Sequence, residues 1–319
     1  MKEITRSVLK NIKKLKVGEA FVVSHKDLSY CPQVNSLVLL GLYELGYKQN
    51  TFGNQDLGSS SLFDKRIGLF HKRTDCSGVI LQEDFNVCKN SIAALWLAVS
   101  GRKNEAKQIM QTLFDSAAFD SEKSLFFREF NVSSGNINKM IITQTNLWAA
   151  IALNFLGDKR GKKILSALEQ EKLDKKEGLF GSQNCKIHSA PKTFFSDDQA
   201  LAIIAYCLTK QEEKAKSLCE NLLKSKLYSK KTCLFNTCYG LRSINYGKST
   251  YKNGLCGIAL GKAGFEKERK ALSKAMSALL FDKRTGLFNG SNYTKTKYPD
   301  SNVLALMAIE YLKIKHEVF

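Results

Sequence analysis

Six apolar runs punctuate the chain, each introduced by a carboxamide: Asn35, Asn90, Asn146, Gln199, Asn253 and Asn302. The steps between them are 55, 56, 53, 54 and 49 residues, and a near-constant period of that size marks a repeat architecture. The run after Asn90, Ser91-Ile92-Ala93-Ala94-Leu95-Trp96-Leu97-Ala98, is apolar nearly all round, which predicts a helix buried on every side. A glycine stands eleven residues past the carboxamide in four copies (Gly46, Gly101, Gly157, Gly264), where a left-handed cap would end the helix after about three turns. The position three past the carboxamide is small in five copies (Ala93, Ala149, Ala202, Cys256, Ala305) and Val38 in the sixth, as crowding toward a common axis requires.

A second, amphipathic and lysine-rich helix follows in most copies: Glu105 to Leu113, Lys159 to Leu173, Glu212 to Leu227 and Glu266 to Leu280. Its charged face predicts an outer layer around the apolar helices. A phrase then closes each unit, clearest in Leu62-Phe63-Asp64-Lys65-Arg66-Ile67-Gly68-Leu69-Phe70 and in Leu280 to Phe288, repeated at Leu173 to Phe180 and degraded at Phe119 to Phe126 and Tyr228 to Phe235. An acidic residue, a turn and a short apolar strand are expected there. The amphipathic stretch Ile4 to Leu15 has no inner helix before it, and the sixth inner helix has no outer partner after it. The first helix is therefore expected to close a ring as the outer neighbour of the last.

This pattern resembles the six-hairpin glycosidase superfamily, and Phe195-Ser196-Asp197-Asp198-Gln199-Ala200-Leu201-Ala202 and Tyr298-Pro299-Asp300-Ser301-Asn302-Val303-Leu304-Ala305-Leu306 are similar to inner-helix starts in that group. The resemblance implies an all-α (α/α)6 toroid of six helical hairpins covering residues 1–319 as one domain. It fixes no single family, because such toroids also serve as sugar epimerases, polysaccharide lyases, terpene cyclases, prenyltransferases and lanthionine cyclases. Fold alone does not assign function.

Composition narrows the setting. No proline- or glycine-rich linker interrupts the 319 residues, and two of the three prolines, Pro32 and Pro299, begin inner helices. There is no apolar run long enough to span a membrane and no signal-peptide core at Met1 to Arg6, so a cytoplasmic location is expected. The nine cysteines include no two-residue-spaced pair, so free thiols are expected rather than disulfides or a metal centre. Cys238 and Cys256 are faintly similar to the zinc ligands of lanthionine cyclases, but Gly257 stands where the histidine should be, and neither metal nor cofactor is expected. The net charge of +19 attracts anions. Its lysines are spread over several hairpins, however, so a solvated exterior is the reading, with no specific nucleic-acid partner.

The segments from the phenylalanine of one phrase to the next carboxamide run 14, 20, 20, 19, 18 and 14 residues, whereas the inner-to-outer turns are short. The long loops therefore gather on the face where the inner helices begin, building a concave site over six positive helix ends. Asparagine is a preferred N-cap, so the six recurring carboxamides are read as scaffold. Two residues before them stand Gln33, Cys88, Gln144, Asp197, Tyr251 and Asp300, with a second acid at Asp198.

A glycosidase needs two carboxyl groups across a sugar. Asp197 or Asp198 is assigned as base or nucleophile and Asp300 or Glu129 as acid, the aromatics around Glu129 being expected to desolvate it and raise its pKa. Arg128, Gln144, His188, Tyr239, Tyr251, Tyr293 and Tyr298 are the candidate sugar contacts, while Trp96 and Trp148 read as core. The expected activity is hydrolysis of a glycosidic bond, with a sugar or oligosaccharide, anionic ones included, as ligand. Two rivals remain open: an epimerase or lyase using His188 or a tyrosine as base, and a noncatalytic toroid that binds a glycan or a protein.

Overall fold

Each inner helix begins three residues before its carboxamide, so the recurring side chain falls on the first turn facing the preceding strand. The computed structural model describes residues 2–17, 20–24, 27–47, 63–74, 79–182, 193–240, 247–311 and 318. Eleven α-helices lie among these: α1 Lys2–Ile12, α2 Pro32–Glu44, α3 Val87–Val99, α4 Lys103–Asp115, α5 Thr143–Phe155, α6 Arg160–Lys172, α7 Ser196–Leu208, α8 Glu212–Lys224, α9 Thr250–Lys262, α10 Glu266–Leu279 and α11 Pro299–Ile309. The apolar helices pack in the ring order α2, α3, α5, α7, α9, α11 and back to α2, while α4, α6, α8 and α10 lie outside, each on the inner helix before it. Helix α1 packs against α11, closing the (α/α)6 toroid as the pattern implied. Residues 48–62, between α2 and the first hairpin, lie outside the described residues. No described helix is long and apolar enough to cross a membrane.

The closing phrases fold as two-residue antiparallel hairpins: Phe63–Asp64 with Leu69–Phe70, Phe119–Asp120 with Leu125–Phe126, Leu173–Asp174 with Leu179–Phe180, Tyr228–Ser229 with Leu234–Phe235, and Phe281–Asp282 with Leu287–Phe288. Their turns need a left-handed residue, supplied by Gly68, Gly178 and Gly286 at φ 79°, 62° and 69°. In the two degraded phrases Ser124 and Cys233 are forced to φ 54° instead, a conformation that favours glycine. Loops leading to neighbouring inner helices then pair with one another, as in Glu129–Phe130 between Phe85–Asn86 and Ile137–Asn138.

The carboxamides are scaffold, but they are not caps. The N-cap residues are Cys31, Asn86, Ile142, Phe195, Ser249 and Tyr298, and each carboxamide sits four residues further on. In α3 the Phe70 amide donates to Asn90 Oδ1 at 2.7 Å, and Asn90 Nδ2 donates to the Phe70 carbonyl at 3.0 Å and to the Asn86 carbonyl at 3.1 Å. The same three bonds join Asn35 to Phe21 and Cys31, Asn146 to Phe126 and Ile142, Gln199 to Phe180 and Phe195, Asn253 to Phe235 and Ser249, and Asn302 to Phe288 and Tyr298. A carboxamide carries both a donor and an acceptor, so it satisfies a buried peptide edge on each side. All six phenylalanines are fully buried.

Asn146→Ala strips these partners from the Phe126 amide and carbonyl. At about 1–3 kcal/mol for each buried polar group left unmade, urea denaturation should show a loss on the order of 3 kcal/mol. A loss indistinguishable from that of an exposed Asn136→Ala control would refute the clamp.

Candidate functional site

Because every inner helix starts at the same offset, its second residue falls at one aligned position, Gln33, Cys88, Gln144, Asp197, Tyr251 and Asp300, and all but Gln33 are joined into one floor by a hydrogen bond or an electrostatic coupling. Asp197 is gripped from both ring neighbours. Gln144 Nε2 of α5 donates to its Oδ2 at 3.0 Å, and Lys252 Nζ of α9 donates to its Oδ1. The Lys252 ammonium also lies 4.2 Å above the centre of the Phe195 ring, a placement that its quadrupole favours. Asp197 is thus an ion-paired carboxylate with both oxygens fixed.

Asp300 has a different environment. Burial, with 7% of its surface exposed, lifts its pKa to about 6 against hydrogen bonds from the Ser301 amide at 2.7 Å and the Ser301 hydroxyl at 3.4 Å. Between the two acids, Tyr251 carries a buried hydroxyl whose pKa is driven well up by burial, then by the negative charge of Asp197 and the fields of Cys88 and Asp300, while the Trp148 indole beside it favours the phenolate. Those couplings bring side chains of α3, α5, α7, α9 and α11 to one place. Cys88 is likewise pushed up to about 12 by burial, so it is an un-ionised thiol.

Asp198 sits behind the floor. It is 2% exposed; burial and then Asp197 raise its pKa well above the carboxylate range, only partly opposed by Lys252, by a Ser182 hydrogen bond and by Lys172. One of its oxygens, Oδ2, meets no hydrogen-bond partner among the described residues. A protonated carboxyl in such a place costs less than a charged one.

Glu129 departs from expectation. Burial does push its pKa upward, but the hydrogen bond and charge of Lys72 at 2.9 Å, the charge of Arg128, and an Asn86 hydrogen bond outweigh it, and the net shift is downward. Asn86 Nδ2 and Asn138 Nδ2 reach its two oxygens at 3.4 and 3.3 Å. It is an ion-paired strand residue on the loop sheet, without the raised pKa that a general acid requires. Arg128 stands beside it, Nε 3.9 Å from the carboxylate.

The aromatic candidates also separate. The Tyr239 hydroxyl donates to Glu177 Oε2 at 2.6 Å and its ring stacks on Phe194, so it ties loop to hairpin. Tyr293 is 74% exposed, and the Tyr298 ring lies where a side chain on Gly290 would come within 2.6 Å of it. His188 lies outside the described residues. His71, the described histidine, stacks on Phe85 with Nε2 3.6 Å from Asp64, in the wall rather than at the floor. Cys256 is fully buried in α9 and gives its thiol hydrogen to the Ser196 carbonyl at 3.5 Å. Among the described residues no group of three histidines, cysteines and acids has the geometry to hold a metal ion.

Two floor residues escaped the sequence reading. Lys252 was one lysine among many, though it directly follows the aligned position of Tyr251. Trp148, assigned to the core, is fully buried yet turns its indole N–H toward Tyr251. Outside the floor, a groove of about 680 Å³ runs between α4 and the α5–α6 turn. Its Arg160 and Asp158 are already paired with each other at 2.7 Å, so it offers no free reacting group.

No protein-family model and no curated protein sequence matches the chain, but its fold is shared with solved six-hairpin toroids. A cellobiose 2-epimerase from Bacillus thermoamylovorans matches with a TM-score of 0.76 at 17% identity over 96% of this chain and 98% of that one. A D-mannose isomerase matches at 0.77 and 14% identity over 97% and 96%, and a GH76 α-mannanase from Bacteroides thetaiotaomicron at 0.71 and 12% over 97% and 94%. All are members of the six-hairpin glycosidase-like group, and at these identities the likeness is one of fold.

The Asp300 carboxyl gives a signed test. Its folded pKa is raised above the unfolded value of 3.8, so the folded state binds the extra proton, and the stability it contributes is lost as pH rises through about 6. At 1.4 kcal/mol per unit, Asp300→Asn should stabilise the protein by about 3 kcal/mol relative to wild type at pH 8, and by far less at pH 4. Equal effects at both pH values would overturn the assignment.

Proposed function

We propose that the chain is a carbohydrate-active enzyme that cleaves a glycosidic bond at the floor built by the inner-helix N-termini. The observation that carries this reading is that two carboxyl groups flank Tyr251 in unlike environments. Asp197 is ion-paired with Lys252 and hydrogen-bonded by Gln144, and Asp300 keeps a proton to about pH 6 through burial. That division matches the base or nucleophile and the acid of glycoside hydrolysis. Asp300 then donates to the leaving oxygen, while Asp197 receives the developing positive charge of the sugar or activates a water. Asp198, neutral and tucked behind, positions the start of α7. The sugar-processing titles of the fold neighbours, two carbohydrate isomer-forming enzymes and a mannanase, support a carbohydrate substrate.

A second reading is epimerisation or isomerisation at the same floor. It is favoured by Tyr251, whose hydroxyl is kept protonated at the centre of the site and can serve as a proton donor beside a carbonyl. Incubation with neutral, amino and uronic oligosaccharides in D2O, read by mass spectrometry and NMR, separates the two. Hydrolysis yields products that together gain one water and carry no carbon-bound deuterium, whereas proton abstraction gives an isomer with solvent deuterium on carbon.

With a found substrate, Asp300→Asn and Asp197→Asn should each lower kcat/KM by about 10²–10⁴-fold, and wild-type activity should fall as pH rises above about 6. Turnover unchanged in both variants would remove the carboxylate mechanism.

A further inference from the structure

Every described hairpin carries a side chain at one register position, opposite the leucine of its second strand: Asp64, Asp120, Asp174, Ser229 and Asp282. Four are acids and the fifth is serine. In the last unit this acid has a second task besides its turn, because Lys297, five residues before the carboxamide Asn302, reaches back to Asp282 Oδ2 at 3.1 Å and to Asn289 Oδ1. Asn289 is the residue directly after the buried Phe288. In the second unit the corresponding residue after the phenylalanine is His71, and it too faces its acid, Asp64, at 3.6 Å.

The fifth unit repeats the arrangement with one part missing. Lys248 stands five residues before Asn253, and its Nζ donates to Asn236 Oδ1, the residue directly after Phe235. Asn236 is itself held by its Nδ2 bond to the Lys226 carbonyl at 2.8 Å. The lysine, the asparagine and the strand register therefore coincide with those of Lys297, Asn289 and Asp282, but Ser229 stands where the carboxylate should be. Lys248 is as deeply placed as its counterpart, 8% exposed against 5%. Burial drives its pKa down, with no charged group among the described residues offsetting it. A buried ammonium without a counter-charge is costly.

We propose that this slot takes a small oxyanion, of carboxylate or phosphate type, between Ser229 and Lys248. The replacement of an aspartate side chain by a serine removes the carboxylate that Asp282 turns toward Lys297 through its Oδ2, and the half-buried Ser229 on its hairpin leaves a route for entry. The anion would complete the ammonium's hydrogen bonds as Asp282 completes those of Lys297. The site is also coupled to the floor. The Lys248 amide donates to Asn292 Oδ1 at 2.6 Å, and the next residue, Ser249, is the N-cap of α9, the helix that presents Tyr251 and Lys252.

The test is a thermal-unfolding titration of the intact chain with sodium formate and with inorganic phosphate, each at constant ionic strength against chloride. Wild type should show a saturable rise in Tm, on the order of 3 °C at ten times the dissociation constant, with either anion. Ser229→Asp should start at a higher Tm than wild type and lose the anion response, and Lys248→Met should also lose it. If Lys248→Met does not fold, Ser229→Asp decides. A wild-type Tm indifferent to both anions, or a response undiminished in Ser229→Asp, overturns the proposal. A formate response without a phosphate response supports it and assigns the slot to carboxylates; the reverse supports it and assigns the slot to phosphate.

Discussion

The carboxamide clamp is the contact on which the rest of the toroid depends. Each time the chain leaves an outer hairpin for the interior it carries a phenylalanine whose ring fills the space between layers, and the peptide groups of that residue are buried with it. No helix or strand ladder can reach both of them there. A single Asn or Gln on the first turn of the next inner helix satisfies the amide and the carbonyl together, and spends its remaining donor on its own helix. Each unmade bond of this kind costs about 1–3 kcal/mol, and the motif occurs six times. The geometry is tolerant of one methylene, since Gln199 makes both bonds at 2.8 Å, but not of a residue lacking either a donor or an acceptor.

The clamp also sets the site. By fixing where each helix starts relative to its phenylalanine, it fixes which residue is second on the helix, the position from which Cys88, Gln144, Asp197, Tyr251 and Asp300 come together. What those side chains do is decided by a contest between helix-end fields, burial and specific partners. The positive ends of the helices favour negative charge, yet burial pushes Asp300 and Asp198 toward their neutral forms. Asp197 differs from both in its partners, since Lys252 and Gln144 bind its two oxygens. The +19 charge of the chain lies mostly outside the described helices and says little about this acidic centre.

The period, the buried helices, the hairpin phrases and the ring closure through α1 were legible in the sequence because each is a local pattern repeated. The role of the carboxamides was half legible. Capping and clamping ask for the same chemistry, and only the three-residue offset between helix start and carboxamide tells them apart; Asn86, a true N-cap, accepts from Lys89 at 3.1 Å four residues before the clamp at Asn90. The aligned column from Gln33 to Asp300 was visible as spacing, and five of its six side chains are joined by a hydrogen bond or an electrostatic coupling. Glu129 was misread because its aromatic neighbours are local while Lys72 arrives through loops brought together by the sheet around Glu129–Phe130. Lys252 was hidden by the abundance of lysine, and its partnership with Asp197 crosses from one helix to the next.

Depth is the last constraint. Below the floor the inner helices approach closely: a side chain on Gly257 would come within 2.6 Å of Ala308, one on Gly254 within 2.8 Å of the Leu304 backbone, and one on Gly41 within 2.0 Å of Val303. The small residues three past the carboxamides, Ala93, Ala149, Ala202, Cys256 and Ala305, are all fully buried, as is Val38. Tyr251 and Trp148 meet directly above them. The centre of the ring is thus packed solid one turn beneath the acids, and no chain can thread it. On the proposed reading a ligand enters by the face that carries the long loops and meets the first turn of each inner helix, the same turn that the clamp holds.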